Sequence, residues 1–138
     1  MAPSPSLASR RRITAALLLL AVIAAGVAVH AFAPDSAASD IAGDALYAAA
    51  AYLAVLIVAP RLRPLTAGLI AAAWCTAVEL FQLTGVPSAV GASFAPATLV
   101  LGTVFDPRDL AVYLVAIAII TAVDALLLAR RRTRVTAR

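Results

Sequence analysis

The chain has few of the residues from which soluble enzymes build metal sites and disulfides. It contains one cysteine, one histidine and no lysine, and charged residues make up 13% of its 138 residues. A single cysteine excludes an intrachain disulfide. Cys75 lies in an apolar run without a His or Cys partner, so we expect a packed structural thiol. No Gly-rich phosphate loop, metal-spaced His/Cys set or Ser-His-Asp order is visible, and the sequence predicts neither a metal nor a cofactor.

Apolar residues dominate the chain instead. They make up 64% of it, and the mean hydropathy is +1.00, whereas a soluble domain is about half apolar. A helix needs about 20 apolar residues to cross the hydrocarbon core of a bilayer. Four runs meet that length: residues 13–32, 41–59, 65–83 and 109–129. The sequence therefore predicts an all-α fold, a four-helix transmembrane bundle with no soluble domain.

Prolines, glycines and charges divide the chain around these spans. The predicted organisation is a disordered cytoplasmic tail over residues 1–12, a membrane domain over residues 13–129 and a basic cytoplasmic tail over residues 130–138. The connection between spans three and four, residues 86–108, is broken by several prolines and glycines. Its stretch 97–105 is apolar but too short to cross, which favours a re-entrant or interfacial segment.

Arginine clusters predict the orientation. They lie before the first span, between the second and third spans and after the fourth span. With four crossings, these three places share one side of the membrane, and the positive-inside rule makes that side the cytoplasm. The same clusters fit orientation better than nucleic-acid binding. Both termini are then cytoplasmic, and the loops at residues 34–40 and 84–109 face outside.

The first segment has a second interpretation, as a cleaved signal peptide. Arg10 to Arg12 faintly resemble a twin-arginine start, and residues 31–33 resemble a cleavage site. The apolar run is longer than a usual signal core, and Pro34 would directly follow the cut. We therefore expect the segment to be retained as a span.

Three spans carry an acid near their outer ends, where an unpaired carboxylate costs several kcal/mol. These acids are Asp44, Glu79 and Asp109, and each has a polar neighbour three or four residues away, on the same helix face. Independent placement would scatter such groups in depth, so one outward-opening polar site is the best account. The predicted binding residues are Asp44, Tyr47, Glu79, Gln82, Arg108, Asp109 and Tyr113. None of them is assigned as catalytic.

Other interpretations of these residues stay open. Asp109 is also placed to cap its helix, and the tyrosines are also typical of an interfacial aromatic belt. Arg108, the only base near the outer side, is the expected counter-ion of Glu79 or Asp109. His30 lies near the outer end of the first span, which would bring a polar group from every span to one depth. For Asp124 we expect a local salt bridge with the terminal arginines.

In their order and spacing, these signatures resemble a family of small bacterial membrane proteins known as domain-of-unknown-function family 2809. The family itself looks like a relative of the VanZ-like proteins, whose first-described member is linked to glycopeptide (teicoplanin) resistance. The resemblance implies a bacterial plasma-membrane location and no established activity. The matching pieces are Gly43-Asp44-x-Leu46-Tyr47 with Tyr52 and Pro60, Glu79-Leu80-Phe81-Gln82-Leu83, and Gly102-x-x-Phe105-x-x-x-Asp109-Leu110-x-x-Tyr113.

Three functional classes follow. The first is a non-enzymatic protein whose outer polar pocket binds a lipid, an envelope precursor or a cation. The second is a membrane-embedded enzyme acting on a lipid-linked envelope substrate, with Glu79 as general base; the absence of a nucleophile or metal site makes an enzyme the less favoured class. The third is an accessory subunit of a larger membrane complex. The expected partners are the bilayer and a lipid or envelope-precursor ligand, with a homodimer or larger complex as the assembly and no nucleic acid.

Overall fold

The computed structural model describes residues 6–102 and 104–136, without the side chains of residues 131, 132 and 134–136. Every regular element in this part of the chain is helical. Four helices are long and apolar enough to cross a membrane, which confirms the predicted fold class. The elements are α1 (Leu7–Phe32), α2 (Ala37–Val58), α3 (Pro64–Gln82), α4 (Val86–Ser93), a 3₁₀ turn (Ala95–Ala97), α5 (Thr98–Leu101) and α6 (Pro107–Thr136).

Local sequence signals set most helix ends. Ser36 and Ser39 form a capping box at the start of α2, each side chain accepting the other residue's backbone N–H at 3.2 and 3.0 Å. Pro64 opens α3, where its fixed φ suits a first helical position. Gly85, with a φ of 73°, turns the chain after α3, a conformation that favours glycine.

The terminal helices extend beyond the predicted spans. Leu7 to Arg12 belong to α1 rather than to a separate tail, and α6 continues through Arg130 to Thr136. Arginine is a good helix former, so the helices continue where the apolar runs end. Residues 1–5 and 137–138 of the predicted tails lie outside the described residues. The assignment of both tails to the cytoplasm stays a prediction.

Helices α2, α3 and α6 contact one another, and α1 packs mainly against α2. Small residues fill the centre: Ala48, Ala67, Ala71 and Cys75 are fully buried. Because the hydrophobic effect does not drive helices together within lipid, helix pairs are stabilised by the close backbone approach that small residues permit. Cys75 is thus the packed thiol that its sequence context indicates. Lipid-facing surfaces of all four long helices stay uncovered.

The bundle has two ends of different character. The polar end holds residues 33–36 and 83–106, and the basic end holds residues 59–63 with the first turns of α1 and the last turns of α6. At the basic end, Arg11 donates to the carbonyls of Pro60 and Leu62 at 2.9 and 2.6 Å. The same guanidinium pairs with Asp124, which also accepts the Tyr52 hydroxyl at 2.7 Å.

This network gives Asp124 a partner that the sequence did not predict. Its described ion pair joins it to Arg11 of α1, whereas the side chains of Arg131, Arg132 and Arg134 lie outside the described ones. The pair with Arg11 arises from the antiparallel packing of the helices, which brings the first turns of α1 beside the last turns of α6. Sequence distance favoured a local pair, which stays a prediction, whereas the described contact joins distant parts of the chain.

The basic-end network predicts unequal effects for two arginines that carry the same charge. Arg11→Gln leaves the half-buried Asp124 without its ion pair, and we expect a loss of about 1–3 kcal/mol in the free energy of unfolding. Arg130→Gln removes an exposed side chain and serves as the matched control. Unfolding by denaturing detergent measures both. Equal losses of unfolding free energy in the two variants would indicate that Asp124 depends as much on the terminal arginines as on Arg11.

The crossing of α3 and α6 predicts a second effect. An added Cβ at Gly68 would overlap Thr121 Oγ1, whereas one at Gly26 meets nothing within 4 Å. We expect Gly68→Ala to cost about 1–3 kcal/mol of stability through overpacking, and Gly26→Ala to cost little. Thr121→Ala should restore stability to Gly68→Ala in a double-mutant cycle. Equal stability of the two glycine variants would show that α3 and α6 can accommodate a methyl group at Gly68.

Candidate functional site

The structure brings all seven predicted binding residues together at the polar end. We call this set the polar cluster. Two residues come from α2, two from the last turn of α3 and three from the first turns of α6, so the three helices of the central bundle each contribute. Its members are Asp44, Tyr47, Glu79, Gln82, Arg108, Asp109 and Tyr113. A functional role for the cluster stays a prediction.

Glu79 is the most deeply placed member. Its side chain is 0% exposed, although it lies on a helix whose surface faces lipid. Gln82 Nε2 lies 3.4 Å from Glu79 Oε1, and the backbone N–H of Asp106 lies 3.4 Å from Oε2. The Tyr113 hydroxyl also interacts with this carboxyl. Three donors from three parts of the chain therefore replace the water that Glu79 would lose on burial.

Arg108 has a different set of partners. It lies 3.4 Å from Asp40, 3.8 Å from Asp106 and 3.7 Å from Asp109. The expected pairing with Asp109 is thus present. The alternative pairing with Glu79 is not among the ion pairs of the described residues, because Arg108 is exposed at the rim while Glu79 lies in the interior.

The carboxyl groups of Asp44 and Asp109 adjoin each other across α2 and α6. Asp44 Oδ2 and Asp109 Oδ1 are both inaccessible, and neither accepts a hydrogen bond within the described structure. Two adjoining carboxylates repel unless a proton or a cation lies between them. The two carboxyl groups share a hydrogen bond, and Asp109 Oδ1 lies 3.7 Å from Arg108 Nε. Asp44 Oδ2 is therefore the oxygen of the pair that has neither a hydrogen-bond nor an ion-pair partner in the described structure.

An aromatic group closes one side of the cluster. The rings of Tyr47 and Tyr113 lie 5.6 Å apart at an angle of 47°, within the range of favourable aromatic pairs. Trp74 Nε1 donates to the Tyr47 hydroxyl at 3.1 Å, and that hydroxyl donates to the carbonyl of Val100 at 2.7 Å. Both tyrosines thus have specific contacts within the protein, which an aromatic residue of an interfacial belt does not require.

Three contributors were not among the predicted site residues. Asp40 and Asp106 contact Arg108, and Trp74 contacts Tyr47. Asp40 lies one turn before Asp44, and the i, i+4 spacing could have signalled it. Asp106 accepts the backbone N–H of Arg108 at 2.8 Å and so caps α6, as an acid before Pro-x-Asp indicates. No local pattern links Trp74 to Tyr47, since the contact joins two helices.

His30 does not join the polar cluster. It lies on the exposed surface of α1 and lines a cavity of about 190 Å³ between α1 and α2. Gly26, Asp35 and Asp40 also line this cavity. His30 thus lies at the same end of the bundle as the cluster but outside it, because α1 packs on the outside of α2.

The fold and this site define a class of protein: a multi-pass helical membrane protein with a buried polar cluster at one end of its bundle. The chain belongs to the family described as protein of unknown function (DUF2809), whose model matches residues 33–134. That match covers α2 to α6 and every member of the polar cluster. Comparison with curated proteins and with solved structures yields no match.

The role of Gln82 in holding this site leads to a prediction. Gln82 Nε2 also donates to the carbonyl of Leu101 at 3.0 Å, so Gln82→Leu leaves two acceptors without a donor. We expect a loss of about 1–3 kcal/mol in unfolding free energy. Thr84→Val is the control, since it removes an exposed hydrogen bond of 2.7 Å to Phe81 O that water replaces. Similar stability of both variants would mean that Gln82 is not a structural donor.

Proposed function

We propose that this membrane protein binds a positively charged group at the polar cluster, either the amine headgroup of an amphiphile or a small cation. The observation that carries the proposal is the adjoining pair Asp44 and Asp109. Each has an inaccessible oxygen without a hydrogen-bond partner, and only that of Asp109 lies near a base, 3.7 Å from Arg108 Nε. An ammonium group has three N–H donors and no acceptor. Charge-assisted hydrogen bonds to such oxygens are about twice as strong as neutral ones.

The charge balance around the pair favours this sign of ligand. Four further charged residues surround it: the acids Asp40, Glu79 and Asp106, and the base Arg108. Arg108 is already shared among three aspartates, so an anionic headgroup would find no free base there. Among the predicted ligand classes of lipid, envelope precursor and cation, a ligand with an exposed phosphate but no amine is thus disfavoured.

A metal ion is a weaker candidate than an amine. In the described part of the chain, no group of three or more His, Cys, Asp or Glu side chains is arranged to hold a metal. A divalent ion such as Ca²⁺ takes six to eight oxygen ligands, whereas an ammonium group needs only a few acceptors. The geometry therefore supports an amine or a loosely held monovalent cation.

Two further classes remain as alternatives. In the enzymatic alternative, Glu79 is a general base for a lipid-linked envelope substrate, but its carboxyl already faces three donors within the protein, which disfavours proton abstraction from a ligand. In the accessory-subunit alternative, the cluster only stabilises the bundle, and the lipid-facing helices contact a homodimer partner or a larger complex.

The arginine clusters supply the proposed setting. They support an orientation with both termini in the cytoplasm and the polar end outside, and a bacterial plasma membrane is the location that the family resemblance implies. The ligand would then come from the outer leaflet or the medium.

Ligand-dependent stability tests the proposal. The full chain would be placed in nanodiscs of phosphatidylglycerol, and its unfolding midpoint measured with added phosphatidylethanolamine, ethylammonium or sodium at constant ionic strength. We expect the midpoint of the wild type to rise with an amine, since a ligand at 100 times its Kd stabilises by about 2.7 kcal/mol. Asp44→Asn and Asp109→Asn should lose this response.

Asp35→Asn is the matched control, because it removes the same charge at the same end outside the polar cluster. It should respond as the wild type does. A wild type that responds to no cation, or an Asp44→Asn variant that responds fully, would refute a binding site at the pair. A Glu79→Gln variant of equal or higher stability, in the absence of any response, would favour the accessory subunit.

A further inference from the structure

The connection between α3 and α6 contains an uncharged stretch at a place where charge is common. From residue 86 to residue 101 there is no Asp, Glu, Lys or Arg, although the stretch lies at an end of a membrane bundle. It comprises α4, the 3₁₀ turn and α5. We call these residues the flap.

One side of the flap is apolar and uncovered. Val86 and Val90 lie four residues apart on α4 and share a helix face, and Phe94 follows directly after the helix. They are 45%, 39% and 61% exposed. Leu99 and Val100 continue the exposed apolar surface. In water such a patch is unfavourable, whereas a lipid boundary is its natural solvent.

The other side of the flap contacts the polar cluster. The Tyr47 hydroxyl donates to Val100 O at 2.7 Å, and Gln82 Nε2 donates to Leu101 O at 3.0 Å. The next residue, Gly102, has a φ of 64°, and an added Cβ there would overlap Gln82 Nε2. Two side chains of the cluster thus hold the backbone of the flap, and a glycine permits the close approach.

The helices on either side of the flap indicate what covers its apolar side. The flap follows α3 and precedes α6, two helices that are long and apolar enough to cross a membrane. Leu80, Phe81 and Leu83 at the end of α3, a helix that contacts α4, are exposed apolar side chains as well. A segment between two spans at a membrane face, apolar outward and without charge, fits the boundary between headgroups and acyl chains.

We propose that the flap docks on the lipid surface at the polar end through Val86, Val90 and Phe94, and that it separates the polar cluster from the aqueous medium. The second half of this inference rests on the proposed function, because it means that an amine carried by a membrane lipid reaches the cluster more readily than a soluble amine. The inference thereby names the class of ligand: an amine-bearing amphiphile.

Spin-label depth measurements test the docking without any ligand. In a Cys75→Ala background, which removes the only native thiol, single labels are placed by Val90→Cys or Leu99→Cys in phosphatidylglycerol nanodiscs. We expect collisions with oxygen to exceed those with a water-soluble nickel complex. A label at Asp35→Cys, in the other connection at the polar end, is the control and should show the reverse. Nickel access at positions 90 and 99 equal to that at 35 would overturn the docking.

The mobility of the spin label at position 99 tests whether the polar cluster restrains the flap. In Gly102→Ala, the spectrum of the label at position 99 should gain a mobile component, because the added Cβ displaces Gln82. Gly26→Ala, where an added Cβ meets nothing within 4 Å, should leave that spectrum unchanged. An unchanged spectrum in Gly102→Ala would mean that the cluster does not hold the flap.

The ligand class is read from the unfolding midpoints. Phosphatidylethanolamine should raise the unfolding midpoint of the wild type more than ethylammonium does. In Gly102→Ala, the midpoint shifts caused by the two amines should differ less. Equal responses to the two amines would overturn the separation from water while leaving the cation site intact. A docked flap in a protein that responds to neither amine would instead refute the proposed function, so the two failures are distinguishable.

Discussion

A carboxyl group enclosed in a membrane bundle must find its hydrogen-bond donors inside the protein, and Glu79 imposes this constraint on the polar end. Its donors are the Gln82 amide one turn away, the backbone N–H of Asp106 and the Tyr113 hydroxyl. Meeting the requirement fixes the end of α3, the approach of the connecting segment and the first turns of α6 relative to one another. The flap, the Asp44–Asp109 pair and the tyrosine pair all lie against this arrangement.

The remainder of the bundle follows from close packing in lipid. Where the helices meet, small side chains such as Ala48, Ala71 and Gly68 let the backbones approach, because dispersion and hydrogen bonds must replace the hydrophobic drive. α1 packs mainly against α2, outside the centre where α2, α3 and α6 meet. It is attached along α2 and secured at its beginning by the Arg11 network.

Sequence reasoning reached the architecture because its signals are local. Apolar length identified four spans, and Pro34, Pro60 and Pro64 marked their limits. The polar cluster was reachable for a similar reason: an acid at one helix turn and a polar partner three or four residues away define a face and a depth. Glu79 was the most informative case, since the helix dipole disfavours an anion near a C-terminal end.

What escaped prediction depends on contacts between distant segments. The partner of Asp124 is Arg11, 113 residues away, and no periodicity links them. Trp74 meets Tyr47 only because α2 and α3 pack side by side. His30 shares the end of the bundle with the cluster but lies on the outside of α2, and depth alone could not distinguish these places. The hydrogen bond from Gln82 to the Leu101 carbonyl likewise depends on how the flap packs against the end of α3.

The Arg11 network has a consequence for biogenesis. α1 emerges from the ribosome before α2 and α6, yet the guanidinium of its Arg11 has partners in the turn after α2 and in the last half of α6. Until synthesis is nearly complete, the strongest of these partners, Asp124, does not exist. The first helix must therefore wait in the membrane with its arginine at the headgroup level, and the arrival of the final helix completes its attachment. Chains truncated before residue 124 would keep the packing of α1 on α2 and the bonds of Arg11 to Pro60 and Leu62, but they would lack the ion pair that ties α1 to α6.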